Sequence, residues 1–516
     1  MKINRTGQKS EDRGQKSEDR RQKSEVSNLV GWGSLWDALR YCPHQLRLGG
    51  LKPTLRLLLV CFCAVCPTAF GQQDDGIGII LDILKSGDQE MQAVAIAMVK
   101  EMPGTEATKA LAKELPNLSA ASQVQLLSAL GDRGDAVALP AVVTAVKSKN
   151  QSVRIAALKA VGQLGDSSSV DLLAQTAAAA RGAEQKAARE SLYRLRGPKV
   201  EQAIAVGMQT VDGTILMSIP KAEPKTKVEL IKSAGERNIS AGVSVLLKTA
   251  KDSDRKVRVE SFKVLKIVAG PEHLPALVEL LLNLRSSSEA NEAQKMVAVV
   301  AHKIEDKSRQ AEAVLAVLPS VKDVKKQCSL LSVLGKIGDS SALPQLHKAL
   351  NSDDIESRGA AIRALAEWPT SEPAVDLLKA AQSSENRVHR ILALRGFVRL
   401  LGLDNKRALE ETIEMYKKAM TLAPDAIEKR RVLSGLANTK SLSALQMSAD
   451  YLQDKTLFRE AEFAVVKIAG DIYEKFPQQT RDVLEKIVRT SKNDSLCLQA
   501  QEVINRIEGL KKQVEG

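Results

Sequence analysis

The sequence predicts an all-α protein, a right-handed α-solenoid of helix hairpins, and three observations lead there. Apolar residues after Asp74 recur at i, i+3 and i+4 rather than at alternate positions. Short punctuation signals return at multiples of about 34 residues, the spacing of stacked helix pairs. Aromatic residues make up only 3% of the 516 residues; after residue 71 there are one Trp, four Tyr and five Phe. A core made of Ala, Leu, Val and Ile instead suits closely packed helices. At 44% hydrophobic and 27% charged, the body is neither a disordered polyelectrolyte nor a multispanning membrane protein.

The front of the chain follows different rules. Residues 7–13, Gly-Gln-Lys-Ser-Glu-Asp-Arg, are repeated without change at 14–20, and Arg21 to Glu25 begins a third copy with Arg in place of Gly. The unit is seven residues long but has no apolar a and d positions, so it predicts a solvated, disordered basic arm over residues 1–50 rather than a coiled coil. Such a tandem also arises from translated repetitive DNA upstream of a true start. Next, Arg47, Lys52 and Arg56 precede ten apolar residues from Leu57 to Cys66, and Ala69-Phe70-Gly71 supplies small residues around a cut. This is the grammar of a secretory signal over residues 51–71, with cleavage after Gly71. The alternative is retention as a single anchor, but the apolar run is short of the roughly 20 residues a spanning helix needs. The expected product is secreted or periplasmic, with no stable membrane span after cleavage.

One hairpin shows the logic of the body. Leu139, Val143 and Val146 mark a first helix, Ser148-Lys149-Asn150 a turn, and Val153, Ala157, Leu158, Val161 and Leu164 a second helix. Leu164-Gly165-Asp166 then ends the unit, with Gly expected in the left-handed C′ conformation and the polar residue capping the next helix. Leu130-Gly131-Asp132 stands 34 residues earlier, and Ile337-Gly338-Asp339 recurs later. Leu139-Pro140, Leu274-Pro275 and Leu343-Pro344, spaced by 135 and 69, open first helices, where a missing N–H is harmless. From Gly207 to Lys227 the pattern weakens through Gly213, Pro220 and Pro224, predicting a long connection or a distorted unit.

A second register runs through the second helices. Arg154, Arg258, Arg358 and Arg390 are separated by 104, 100 and 32 residues, and four positions before them stand Asn150, Asp254, Asp354 and Asn386. The Asn or Asp is placed to cap its helix by accepting free N–H groups, and the Arg to reach the turn of its own or the adjacent unit. This predicts a structural repeat ladder; its alternative use is an anion-binding row along one edge of the array.

Val153-Arg154 through Leu164-Gly165, within pairs of about 34 residues, resembles the second helix of HEAT repeats of the short bacterial, phycobilisome-lyase-like type. The resemblance covers most of residues 75–405. Leu365-Ala366-Glu367-Trp368-Pro369 and the run Val388 to Phe397 are similar to the HEAT segment of secreted planctomycete-type proteins. That group often carries a fused 3-keto-disaccharide-hydrolase-like β-sandwich, for which this chain has no stretch of alternating strands. The resulting division is a repeat array over 72–405, then divergent helical repeats and a cap over 406–516.

Little in the sequence points to catalysis. His273, His302, His347 and His389 lie 29, 45 and 42 residues apart, without the i, i+3 or i+4 spacing of helix-borne metal ligands. No Gly-x-Ser-x-Gly elbow, phosphate loop, dinucleotide fingerprint or His-Glu-x-x-His occurs. No catalytic, cofactor-binding or metal-binding residue is therefore assigned, and no cofactor is expected. The net charge is +13, from 75 basic and 62 acidic residues, and +6 of it lies in residues 1–71; scattered Lys with few aromatics argue against nucleic acid as a partner. Cys328 and Cys497, 169 residues apart, are about five units distant and predicted to be unbridged, small buried residues. The functional expectation is a non-enzymatic extracytoplasmic scaffold that binds protein along a concave row of second helices. An accessory subunit of a carbohydrate-active system and an enzyme with a site assembled across repeats are the alternatives.

Overall fold

The computed structural model describes residues 74–85, 91–92, 95–96, 98–99, 104–196, 209–284, 287–403 and 407–515. The basic arm and the signal segment lie outside them. Among the described residues there is no β-strand, and no helix is long and apolar enough to cross a membrane.

Contacts divide the chain into two units, the smaller comprising residues 1–103 and 117–122. Its described part contains helix α1, Asp74–Lys85. Ile80, Leu84, Ala95, Ile96, Val99 and Leu118 are its buried apolar residues. Gln92 donates to the Leu84 carbonyl (2.9 Å) and accepts from the Ser122 hydroxyl (2.7 Å), satisfying a buried amide.

The larger unit is a succession of antiparallel helix pairs. In chain order the helices are α2 Thr105–Glu114, α3 Ala120–Arg133, α4 Leu139–Ala145, α5 Gln151–Leu164, α6 Val170–Ala179, α7 Gly182–Arg194, α8 Val211–Ser218 and α9 Pro224–Glu236. There follow α10 Val243–Thr249, α11 Arg255–Val268, α12 Leu274–Leu282, α13 Ala290–Ala301, α14 Glu312–Val317, α15 Val324–Ile337, α16 Leu343–Leu350 and α17 Ile355–Ala366. The last are α18 Ala374–Ser383, α19 Arg387–Leu401, α20 Leu409–Leu422, α21 Ala426–Leu436, α22 Leu442–Ala449, α23 Phe458–Ile472, α24 Pro477–Thr490 and α25 Asp494–Glu515. Even-numbered helices from α4 on are the first of each pair and odd-numbered ones the second. Second helices pack on second helices in series, α11 on α13, α13 on α15, α15 on α17 and α17 on α19, so each hairpin buries its apolar face only against its neighbours.

Four details differ from the sequence expectation. Helix α4 buries Val142, with Ala138 just before it and Val146 just after it, while Leu139 and Val143 are only half-buried; a short 3-10 turn over Ala136–Ala138 leads into the helix. Gly165 is extended (φ −73°, ψ 157°), not left-handed. It is needed there for space, since a Cβ would lie 2.5 Å from the Val161 carbonyl oxygen and 2.6 Å from the Ser169 hydroxyl. Gly131 lies inside α3, and the left-handed residue is Gly134 (φ 76°). The stretch Val211–Lys227 forms an ordinary hairpin: Pro220 sits in the 3-10 turn after α8, and Pro224 opens α9 in its first turn, where proline's fixed φ favours a helix start.

Glycine also sets how closely second helices approach. A Cβ on Gly335 of α15 would lie 2.5 Å from the Ala364 Cα and carbonyl oxygen of α17. Such contacts between backbones let a core of Ala, Leu and Val reach native packing density without large side chains. The exceptions are Trp368, Tyr416, Phe262 and Phe397, the largest side chains wholly buried in it.

Candidate functional site: the second-helix face and its arginine ladder

The ladder residues occupy one repeated geometry. Asn150 accepts from Ser152 and Val153 N–H (2.9 and 3.3 Å), Asp254 from Lys256 and Val257 (2.7 and 3.2 Å), Asp354 from Ser357 (2.7 Å) and Asn386 from His389 (3.1 Å). Each satisfies donors that the first helical turn leaves free, worth about 1 kcal/mol per cap.

The arginine four residues on turns back to the preceding loop. Nη1 of Arg154 donates to the Ser148 and Lys149 carbonyls (3.0 and 3.1 Å), that of Arg258 to Asp252 and Ser253 (both 2.8 Å). Nη1 of Arg358 donates to Ser352 and Asp353 (2.6 and 3.0 Å), that of Arg390 to Ser384 and Glu385 (2.9 and 3.1 Å). One nitrogen thus ties the turn between the two helices of a hairpin to the second helix.

The rest of the guanidinium divides the four into two kinds. Nε and Nη2 of Arg154 donate to Glu184 at the start of α7 (both 2.8 Å), and those of Arg258 to Glu289 just before α13 (2.8 and 2.6 Å). These forks link consecutive repeats, and the hydrogen bond from Arg154 holds the Glu184 carboxyl below the usual carboxylate range. Among the described residues no carboxylate pairs with Arg358 or Arg390.

A second set of cations was not foreseen. Arg237, Lys303 and Arg399, at or just past the ends of α9, α13 and α19, reach back to the end of an earlier second helix. Arg237 Nη1 donates to the Tyr193 and Leu195 carbonyls (both 2.9 Å), and Lys303 Nζ to Ile267 and Ala269 (2.6 and 2.7 Å). Arg399 donates to Ala366 (2.6 Å) and to Trp368. Positive charge at a helix C-terminus meets both free carbonyls and the negative end of the dipole. The pattern shows only as a basic residue near a helix end, a feature too common to single out from sequence.

The face of α13, α15, α17 and α19 carries a groove of about 680 Å³ with Cys328, Ser329, Ser332, Gly359 and Val388 in its lining. Gln294 donates to Ser329 and accepts from Ser332 (both 3.0 Å), which fixes the polar floor. Two large apolar side chains stand out of it, Ile355 at 50% and Val388 at 61% exposure, and Ile427, at 59%, holds the corresponding place on α21. All three lie in the first turn of a second helix. Their sequence context looked like core, so periodicity did not reveal them.

Each histidine has partners or surroundings of its own, although His347 and His389 line one cavity. His302 Nε2 meets the Ile337 carbonyl (2.9 Å), His347 Nε2 the Asp376 carboxylate (2.9 Å), and His273 Nδ1 lies 3.0 Å from Glu272. Among the described residues no three potential metal ligands come together. His389 is buried in the first turn of α19, its Nδ1 without a hydrogen-bond partner. Burial, then the positive charges of Arg358 and Arg363, pushes its pKa down. Cys328 and Cys497 are unbridged but half-exposed rather than buried; burial raises the Cys328 pKa, which favours the thiol over the nucleophilic thiolate.

Comparison with known proteins agrees with this architecture. The family model for HEAT repeats matches residues 108–193 and 311–397. No curated protein matches the chain in sequence. In structure it is similar to karyopherin Kap121p bound to the extreme C-terminus of the protein phosphatase Cdc14p (TM-score 0.51, 13% identity, covering 89% of this chain and 58% of that one). It is likewise similar to Kap121p bound to the SUMO protease Ulp1p (0.51, 13%, 89% and 57%). The chain thus spans a little over half the length of these neighbours, and at such identity the likeness is one of fold. Two matched segments within one run of helix pairs make this an α-solenoid that carries HEAT repeats.

Proposed function

We propose that the chain is a non-enzymatic scaffold acting outside the cytoplasm, and that it holds a polypeptide segment along the first turns of its second helices. The observation that carries this reading is the exposure of Ile355, Val388 and Ile427, at 50%, 61% and 59%, in the first turns of three successive second helices. Single exposed apolar residues need no explanation, but their recurrence at the same end of successive helices, two of them beside a groove, marks an interaction surface. The small side chains of Ser329 and Ser332 leave room for a backbone, and Lys325, Glu356, Arg363 and Glu367 supply both signs of charge around it. The structural neighbours are described as bound to other proteins, in one case to an extreme C-terminus, which makes polypeptide the favoured ligand class for this fold. Routing out of the cytoplasm rests on the signal grammar of residues 51–71.

The test is affinity capture with the full chain against Val388→Asp and Ile355→Asp. Capture of the same polypeptide by wild type, lost in both variants while circular dichroism is unchanged, supports the reading. Equal capture by all three would contradict it.

A further inference from the structure

The four ladder arginines provide an internal comparison. Each uses Nη1 to hold its own turn, yet Arg154 and Arg258 also place Nε and Nη2 on a carboxylate of the next repeat, and Arg358 has no such partner among the described residues. The partner of Arg154 is Glu184, 30 residues on and third in α7; the residue third in α19, 31 after Arg358, is His389. An imidazole therefore stands where the repeat pattern has a carboxylate.

That imidazole is itself incomplete. His389 is 5% exposed, and its Nδ1 has no hydrogen-bond partner, a costly condition for a buried polar atom. Gly359 accommodates the ring, since a Cβ there would lie 2.9 Å from Nε2. Arg358 and His389 line one cavity of about 620 Å³, together with Lys379 and Asn386. Its acidic members do not fill the gap. Asp376 is engaged by His347 at 2.9 Å, and Asp353 and Glu385 are exposed, neither pairing with Arg358.

We propose that this cavity is a carboxylate-binding site: Arg358 offers its Nε–Nη2 edge, and His389 an additional donor, to an acidic group that comes from another molecule. A planar guanidinium edge matches a carboxylate in two parallel hydrogen bonds, the arrangement that Arg154 and Arg258 display within this chain. The cavity shares Asn386 and His389 with the lining of the groove, but this reading requires one carboxylate and no apolar contact.

The experiment uses the full chain with ¹³C-labelled histidine and follows the His389 ring by NMR during titration with N-acetylglutamate, with a hexapeptide of blocked termini whose one charged group is a central Glu, and with inorganic phosphate. Saturable shifts of the His389 signal with both carboxylates are expected, together with a rise in its pKa as the added negative charge stabilises the imidazolium. At least tenfold tighter binding of the peptide would identify the source as an acidic side chain of a polypeptide; equal binding would identify a free acid. Arg358→Gln should weaken binding at least tenfold. His389→Glu, which puts the missing carboxylate in place and is read by calorimetric titration because the reporter ring is gone, should block binding while melting no lower than wild type, and Arg154→Gln should leave binding unchanged. No saturable shift, tighter binding of phosphate than of either carboxylate, or wild-type affinity in His389→Glu would overturn the proposal.

Discussion

Arg258 and Glu289 are joined by two parallel hydrogen bonds of 2.8 and 2.6 Å, and the Glu289 side chain has no solvent exposure. The pair locks α11 to the start of α13, the second helix of the next hairpin, while the same guanidinium holds its own turn. Removing one member of such a pair leaves the other charge buried and alone, at a cost of about 3–5 kcal/mol. Glu289→Gln should therefore lower the stability of the larger unit by an amount of that order, read as a shift of the urea midpoint. Arg154 and Glu184 are more exposed, and Glu184→Gln should cost clearly less.

Gly338 is left-handed (φ 72°) at the end of α15, and a Cβ there would run into the Pro369 ring. Gly338→Ala combines an unfavourable backbone region, about 1–2 kcal/mol, with a steric contact against a stiff side chain. A loss of at least 2 kcal/mol is the expected sum of these terms. Gly78→Ala, inside helix α1 where nothing lies within 4 Å, is the contrasting case and should stabilise its helix by up to about 1 kcal/mol.

His389 gives the array a pH dependence. Its native pKa is depressed by burial and then by Arg358 and Arg363, whereas the unfolded chain protonates near the ordinary value of about 6.5. Between these two values the unfolded state binds more protons, so stability is full above about 6.5 and declines as pH falls through the window. Urea midpoints at pH 7.5 and 5.5 should drop more for wild type than for His389→Gln.

The unbridged thiols should both react with a maleimide under native conditions, since neither is fully buried. Occupancy of the second-helix groove should slow labelling of Cys328, which lines it, and leave Cys497 unaffected. Mass spectrometry of the two cysteine peptides separates these cases.

What the sequence disclosed, and what it hid, follows from how local each signal is. The cap at Asp254 and the arginine at 258 act within a few residues, so their spacing is visible along the chain. The partner Glu289 is 31 residues away, on another repeat, and reads like any surface glutamate. Gly165 was assigned a conformation when its constraint is space between a helix end and Ser169. The stretch from Gly207 to Lys227, described from residue 209 on, reads as irregular because Gly213, Pro220 and Pro224 look like breaks; in the fold Pro220 sits in a 3-10 turn and Pro224 at a helix start, both compatible with proline. Ile355 and Val388 carried the apolar signal of core positions, and only packing distinguishes a helix end that faces solvent.

The most direct measurement places a benzophenone on Cys328 in the full chain with Cys497 and the four earlier cysteines replaced by Ser, then irradiates in the presence of the captured polypeptide. A single crosslinked segment of that polypeptide, lost on Val388→Asp, is the predicted result. Crosslinks that persist unchanged in Val388→Asp, or a captured polypeptide that never crosslinks to Cys328, would contradict the assignment of the second-helix groove as its binding surface.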